Sequence, residues 1–240
     1  GTKMFIINND TDKVFSYTLS TPYNISTAVF VNEFSVASQD GNPMNVQFNN
    51  DGSKMFIGGR QEKRVYEYSL STNFDISSAS YTGNFIDVST QVAGNSLFGL
   101  TFSPDGTMMF VNEKGDGNDH LHQYSLNKSF DLSGGANFIR SAAVTTLLNG
   151  STHNGIVFNQ SGTRLFMVDS QVNAVNQYTL SEGFNIATAS FDGGARDTET
   201  DASSIDFSPS GLRMYVAGID DLVKEYHLPC PFNLFAGKCT

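Results

Sequence analysis

Phe102-Ser-Pro-Asp-Gly-Thr-Met-Met-Phe-Val111 is the stretch that decides the fold. Ser-Pro-Asp-Gly reads as a tight turn in which Gly106 takes positive φ without steric cost. The apolar run after it reads as an interior β-strand. The same turn-plus-strand unit occurs at Gly1-Thr-Lys-Met-Phe5, Asp51-Gly-Ser-Lys-Met-Phe56, Asp105-Gly-Thr-Met-Met-Phe110, Ser161-Gly-Thr-Arg-Leu-Phe166 and Ser210-Gly-Leu-Arg-Met-Tyr215. Each copy continues into a segment ending in Tyr: Val14 to Tyr17, Val65 to Tyr68, Leu121 to Tyr124, Val175 to Tyr178 and Val223 to Tyr226. Six residues beyond that Tyr stands another aromatic, Tyr23, Phe74, Phe130, Phe184 or Phe232. Phe48, Phe102, Phe158 and Phe207 lie four residues before their turn glycines.

A period of roughly fifty residues marks a repeat architecture. Each unit reads as four short strands, A to D. Strand A is Asn45–Phe48 and its equivalents, B is Lys54–Gly59, C alternates polar and apolar residues, and D is exemplified by Val29–Val36. Such a sheet cannot bury both faces alone and must stack on copies of itself. The expectation is an all-β, five-bladed β-propeller of four-stranded antiparallel sheets. It forms one domain over 1–240, with repeats starting near 1, 52, 106, 162 and 211 and a closing tail over 228–240. The first copy lacks strand A and the last runs into Cys230-Pro-Phe-Asn-Leu-Phe-Ala-Gly-Lys-Cys239, so a fragment of a six- or seven-bladed ring is the alternative.

Phe102–Val111 followed by His122-Gln-Tyr-Ser-Leu126 resembles the "FSPDGTKMYV…VYQYDLS" units of YVTN and lactonase-like propellers, and of repeat proteins of marine microbes and phages. The resemblance covers nearly the whole chain. It implies the propeller fold, with lactonase-like hydrolysis as an activity found on that fold. The matching positions are turn and core residues, which specify fold better than chemistry.

The 240 residues carry a formal net charge of −10, and only 16% are charged, against a usual ~25%. Such a surface repels a phosphate backbone unless its cations cluster. Lys54, Arg60, Lys63 and Arg64 form one small basic group, so neither nucleic acid nor an anionic membrane is an expected partner. No apolar run approaches the length of a transmembrane helix. Cys230 and Cys239 could close a small loop, which would suit an extracellular setting, or stand as two thiols in a tail. The chain opens at Gly1 inside a repeat motif, which reads as a processed chain or part of a longer one.

In a propeller, the B–C and D–A connections emerge on one face, and binding residues concentrate on such loops. The B–C loops differ between copies and collect acidic and amide groups: Asp10 and Asp12, Glu113 with Asp116, Asn118 and Asp119, and Asp220 with Asp221. Three readings of this rim stand open. It is a solvated face, a Ca²⁺ loop at Asp116, Asn118 and Asp119, or a site for a glycan or other polar ligand. The run around Asp116 lacks the register and terminal Glu of an EF-hand. His120 and His122, two apart on a strand, share a face and form a weak candidate metal pair. His153-Asn154 opens a strand A and is placed to look into a channel, while His227 stands apart. No nucleophile elbow, phosphate loop or zinc-protease motif occurs.

The expectation is therefore a non-enzymatic binding or structural module, extracellular or on a virion surface. Its partner is a protein or glycan surface, it needs no cofactor beyond a possible Ca²⁺, and it belongs to a larger assembly or longer chain. The alternative is a lactonase-like hydrolase using a metal or a carboxylate/His cluster at the channel mouth.

Overall fold

In the computed structural model of the chain, the turn glycines take the positive φ their position demands: 73° at Gly52, 68° at Gly106 and Gly162, and 67° at Gly211. The structure describes residues 1–92, 96–115, 119–143, 153–171, 173–197, 202–218 and 222–235. Five antiparallel sheets form the blades of a β-propeller. The first holds β1 (Lys3–Asn8), β2 (Lys13–Leu19) and β3 (Ala28–Ser35). The second holds β4 (Pro43–Phe48), β5 (Lys54–Gly59), β6 (Arg64–Leu70) and β7 (Ala79–Asp87). The third holds β8 (Ser96–Phe102), β9 (Met108–Lys114), β10 (His120–Leu126) and β11 (Ala136–Ala143). The fourth holds β12 (His153–Phe158), β13 (Arg164–Asp169), β14 (Ala174–Leu180) and β15 (Ala189–Asp197). The fifth holds β16 (Ala202–Phe207), β17 (Arg213–Gly218) and β18 (Val223–His227). Four strands per sheet is thus correct for the middle three sheets. Among the described residues the first and fifth are three-stranded, without a strand A and a strand D respectively.

By contact the chain divides into two compact units, Gly1–Val111 with Tyr124–Ile139, and Asn112–Gln123 with Arg140–Thr240. Within the first unit, the period-two alternation of β5 serves two interfaces. Met55 and Ile57 pack with Val14 of the first sheet and with Val36 just after its last strand, whereas Phe56 packs with Leu97, Leu100 and Met109 of the third. In the second unit, Phe166 and Val168 pack with Ile205, Met214 and Val216. The core therefore lies between successive sheets.

The aromatic six residues after each strand-C Tyr has a backbone role that its residue type hides. Tyr23, Phe74, Phe130, Phe184 and Phe232 all lie in the left-handed region, with φ of 61°, 57°, 48°, 60° and 50°. A side chain there costs roughly 1–2 kcal/mol. Two features hold it. The amide of Phe130 donates to the Gly106 carbonyl at 3.0 Å, and the other four repeat this bond to their own turn glycines. The ring then lies on the glycine, so that a Cβ built on Gly106 would stand 2.0 Å from Phe130 Cδ2. The ring also packs on the strand-A Phe, with centroids 5.7 Å apart for Phe130 and Phe102 and 5.4 Å for Phe232 and Phe207.

The next residue starts a single 3₁₀ turn. Asn24, Asp75, Asp131 and Asn185 each accept, through the side chain, the amide two residues on. Strand D follows, and its aromatic meets the strand-C Tyr across the ladder. The pairs are Tyr17–Phe30, Tyr68–Tyr81, Tyr124–Phe138 and Tyr178–Phe191, at 5.8, 5.6, 5.6 and 5.5 Å. The exposure of Phe30, Phe138 and Phe191 is thereby accounted for: each covers the outer face of a Tyr.

Candidate functional site

The hairpin β9–β10 carries a cluster of polar side chains near its loop end. Glu113, near the end of β9, is 3% exposed. His120, the first residue of β10, donates its Nδ1 proton to Glu113 Oε1 at 2.9 Å. His122 stands on the same strand face, as its spacing predicts, with the two imidazole rings 6.0 Å apart and 21° from parallel. Its Nε2 lies 3.6 Å from the same carboxylate oxygen, and its Nδ1 is 2.7 Å from Ser141 Oγ. His122 is buried, whereas the His120 side chain keeps 34% exposure. A carboxylate holding Nδ1–H fixes both tautomer and ring orientation and leaves Nε2 as the outward-facing nitrogen.

A second set of hydrogen bonds braces this hairpin within the same unit. Asn112 Nδ2 donates to the Asn154 carbonyl at 3.1 Å. Lys114 Nζ donates to Asn154 Oδ1 at 3.3 Å and to Ser170 Oγ at 3.2 Å. Asn154 Nδ2 in turn donates to the Ala202 carbonyl at 3.2 Å. The Gly115 amide donates to Asp119 Oδ1 at 2.8 Å, and Asp119 is 1% exposed.

The described rim carboxylates divide into exposed and buried ones. Glu113 and Asp119 are buried because loop amides and imidazoles take up their oxygens. Asp40, in the first D–A connection, is buried for the same reason and accepts the amides of Asn42, Gln61 and Glu62. Asp10 is exposed in a turn held by Asn8 Oδ1, and the Asp12 carbonyl accepts the Val36 amide at 2.9 Å. Asp116, Asn118, Asp220, Asp221 and Cys239 lie outside the described residues, as does the side chain of His153. Cys230 is buried and disulfide-bonded. His227 is exposed near Glu225, apart from the other histidines. Among the described residues no group of three or more His, Cys, Asp or Glu is arranged to hold a metal ion.

Several acids are committed to turns. The carboxyls of Asp51, Asp75, Asp105 and Asp131 lie below their ordinary range, chiefly because a Ser hydroxyl donates to each. Asp206 of β16 behaves oppositely and is pushed up to about 6 by desolvation, although the Phe207 amide bonds to it and opposes the shift. Asp206 keeps exposed surface, so water screens part of this effect. The folded state binds the proton more tightly than the unfolded one, so this group's contribution to stability falls as pH rises from about 4 to about 6. Asp206→Asn is expected to raise the melting temperature at pH 7 and leave it unchanged below pH 4, which melting curves across that range would check.

Strand C has two structural roles that its sequence does not announce. Glu67 Oε2 accepts the Leu132 amide at 2.7 Å, and Gln177 Oε1 accepts the Leu234 amide at 2.9 Å. Each reaches from one sheet to the turn of the next. The signal was available in the recurring Glu or Gln before Tyr at Glu67, Gln123, Gln177 and Glu225. The Tyr hydroxyls add a second tie, from Tyr68 to Gln39 at 2.8 Å and from Tyr124 to Gln91 at 3.1 Å.

Neither a family model nor a curated protein matches the chain. Solved structures do. A protein of unknown function from Desulfotomaculum acetoxidans is 12% identical over 97% of this chain, with a TM-score of 0.54. Hydrazine synthase of Kuenenia stuttgartiensis is 13% identical over 95%, at 0.57, and the periplasmic gluconolactonase of Pseudomonas aeruginosa is 11% identical over 94%, at 0.54. The chain spans 64% of the Desulfotomaculum protein, 81% of the Kuenenia chain and 78% of the Pseudomonas enzyme. At these identities the likeness is one of fold.

Proposed function

We propose that the chain is a non-enzymatic binding module that meets a glycan through the loop end of the β9–β10 hairpin. The observation that carries this reading is the half-exposed His120 imidazole, fixed by the buried Glu113 carboxylate. Beside it on the hairpin, Lys114 is braced by Asn154 and Ser170. Sugar hydroxyls both donate and accept, and a set of imidazole, amide, ammonium and hydroxyl groups held in place by buried partners suits them without large ordering cost. The cluster sits on hydrogen-bonded strands, while the B–C loop sequences differ from blade to blade. The disulfide at Cys230 favours an oxidising compartment, so the setting is extracellular or a virion surface.

The Glu113–His120 pair also favours a second reading, since an imidazole oriented by a carboxylate is the usual form of a general base. A hydrolase acting on a lactone, as the name of the Pseudomonas neighbour suggests, would use it to activate water. Two assays on the intact chain separate the readings: an oligosaccharide array, and hydrolysis of D-glucono-δ-lactone. The binding reading expects saturable array signal without turnover. Turnover lost in His120→Ala would replace it with the hydrolase.

A further inference from the structure

Three neighbouring strands of the third sheet bring three polar side chains together. β10 lies between β9 and β11 and is hydrogen-bonded to both. Glu113 comes from β9, His122 from β10 and Ser141 from β11. All three belong to the second compact unit. The His122 imidazole, buried at 3% exposure, stands between the other two. Its Nε2 is 3.6 Å from Glu113 Oε1 and its Nδ1 is 2.7 Å from Ser141 Oγ. Ser141 is exposed.

The repeat does not ask for this arrangement. The position two residues before the strand-C Tyr is His122 here, and Phe15, Tyr66, Asn176 and Lys224 in the other sheets. Across the ladder in strand D, Phe15 faces Glu33, Tyr66 faces Phe85 and Asn176 faces Ala195. A hydroxyl set on an imidazole is thus an addition to the scaffold rather than part of it.

Glu113 decides the direction of that hydrogen bond. Its carboxylate already accepts from His120 Nδ1 and offers acceptors only, so the His122 nitrogen facing it carries the ring proton. At 3.6 Å this contact is electrostatic rather than a hydrogen bond. Nδ1 is left as the acceptor, and the Ser141 hydroxyl donates to it. Other serine hydroxyls meet poorer bases. Ser26 donates to the Asn24 side-chain amide oxygen, and Ser53 and Ser77 donate to the carboxyls of Asp51 and Asp75. Those two carboxyls lie below their ordinary range, whereas an imidazole is suited to taking a proton near neutral pH.

We infer that Ser141 is a nucleophile toward activated acyl esters, with His122 as its general base. In the step, Ser141 Oγ bonds to the ester carbonyl carbon while its proton passes to His122 Nδ1. The carbon–oxygen bond to the leaving alcohol then breaks, and the alcohol takes the proton from Nδ1. The products are acyl-Ser141 and the free alcohol, with no further reactant. This does not rest on the glycan reading, which uses the outward side of His120.

The test incubates the intact chain with p-nitrophenyl acetate and maps acetylated peptides by mass spectrometry. A stoichiometric burst of p-nitrophenol is expected, with the acetyl group on Ser141. Ser141→Ala changes an exposed side chain and is expected to abolish the burst in a folded chain. His122→Gln is expected to slow it a hundredfold or more. Because His122 is buried, that variant is paired with a melting curve, and wild-type chain in urea, which should also lose the burst, is the second control. Continued release after the burst, lost in Ser141→Ala, would keep Ser141 as the nucleophile and overturn only the non-enzymatic reading. Acetyl groups confined to lysines or other serines, or a burst unchanged in Ser141→Ala, in folded His122→Gln or in urea, would each overturn the inference.

Discussion

Gly106→Val is expected to destabilise the chain by about 2–5 kcal/mol, the sum of roughly 1–2 kcal/mol for a side chain at positive φ and about 1–3 kcal/mol for overpacking. The cause is geometric. Gly106 has φ of 68°, and a Cβ there would fall 2.0 Å from a ring carbon of Phe130. For a chain of this length the melting temperature would fall by about 10 °C. The same geometry predicts coupling. In a cycle of Gly106→Ala and Phe130→Ala, the double variant is expected to be more stable than the two single losses imply, by about 1 kcal/mol or more. Removing the ring relieves the contact that the new methyl creates. Strictly additive losses would mean that the ring does not lie on the glycine.

Glu67→Ala is the second large effect, at about 2–4 kcal/mol, because it leaves the buried Leu132 amide without its acceptor. Asn84 and Lys54 lose the same carboxylate, at 3.3 Å each. Glu67→Gln is expected to cost less than about 1 kcal/mol. Gln177 performs the corresponding task for Leu234 without a charge, and Lys54 keeps Asp131 at 3.7 Å. Denaturant melts of the two variants decide the matter. Equal losses for Ala and Gln would show that charge, rather than the hydrogen bond between sheets, is what Glu67 supplies.

These two sites also show where sequence reading succeeds and where it stops. The turn glycines were legible because positive φ follows from turn chemistry alone, and strand B was legible because Lys54–Gly59 is continuously apolar after its first residue. The left-handed aromatics were not. Phe is a strand former, so a Phe at fixed spacing reads as core packing. Only tertiary contact with a glycine roughly twenty residues away compensates its strained backbone. Glu67 and Gln177 were hidden for a related reason: a polar residue between apolar ones reads as a solvent face. In a stacked sheet, the face opposite the core of one interface is the core of the next.

The candidate site was partly legible. Spacing alone placed His120 and His122 on one face, and Glu113 was singled out with its loop. Counting acidic residues on the rim nevertheless did not decide between a solvated face, a Ca²⁺ loop and a polar-ligand site. Burial of Glu113, Asp119 and Asp40 depends on which amides the loops turn inward, and composition carries no trace of that.

On the proposed function, the repeated residues build the scaffold and the His120 end of one hairpin does the binding. Array binding of His120→Ala beside the wild-type chain, each checked by melting temperature, tests it most directly. A folded chain is expected, with its melting temperature lowered by about 5 °C because the buried Glu113 carboxylate loses one partner and keeps His122 at 3.6 Å, together with loss of the oligosaccharide signal. Retained signal in a folded His120→Ala chain would contradict it.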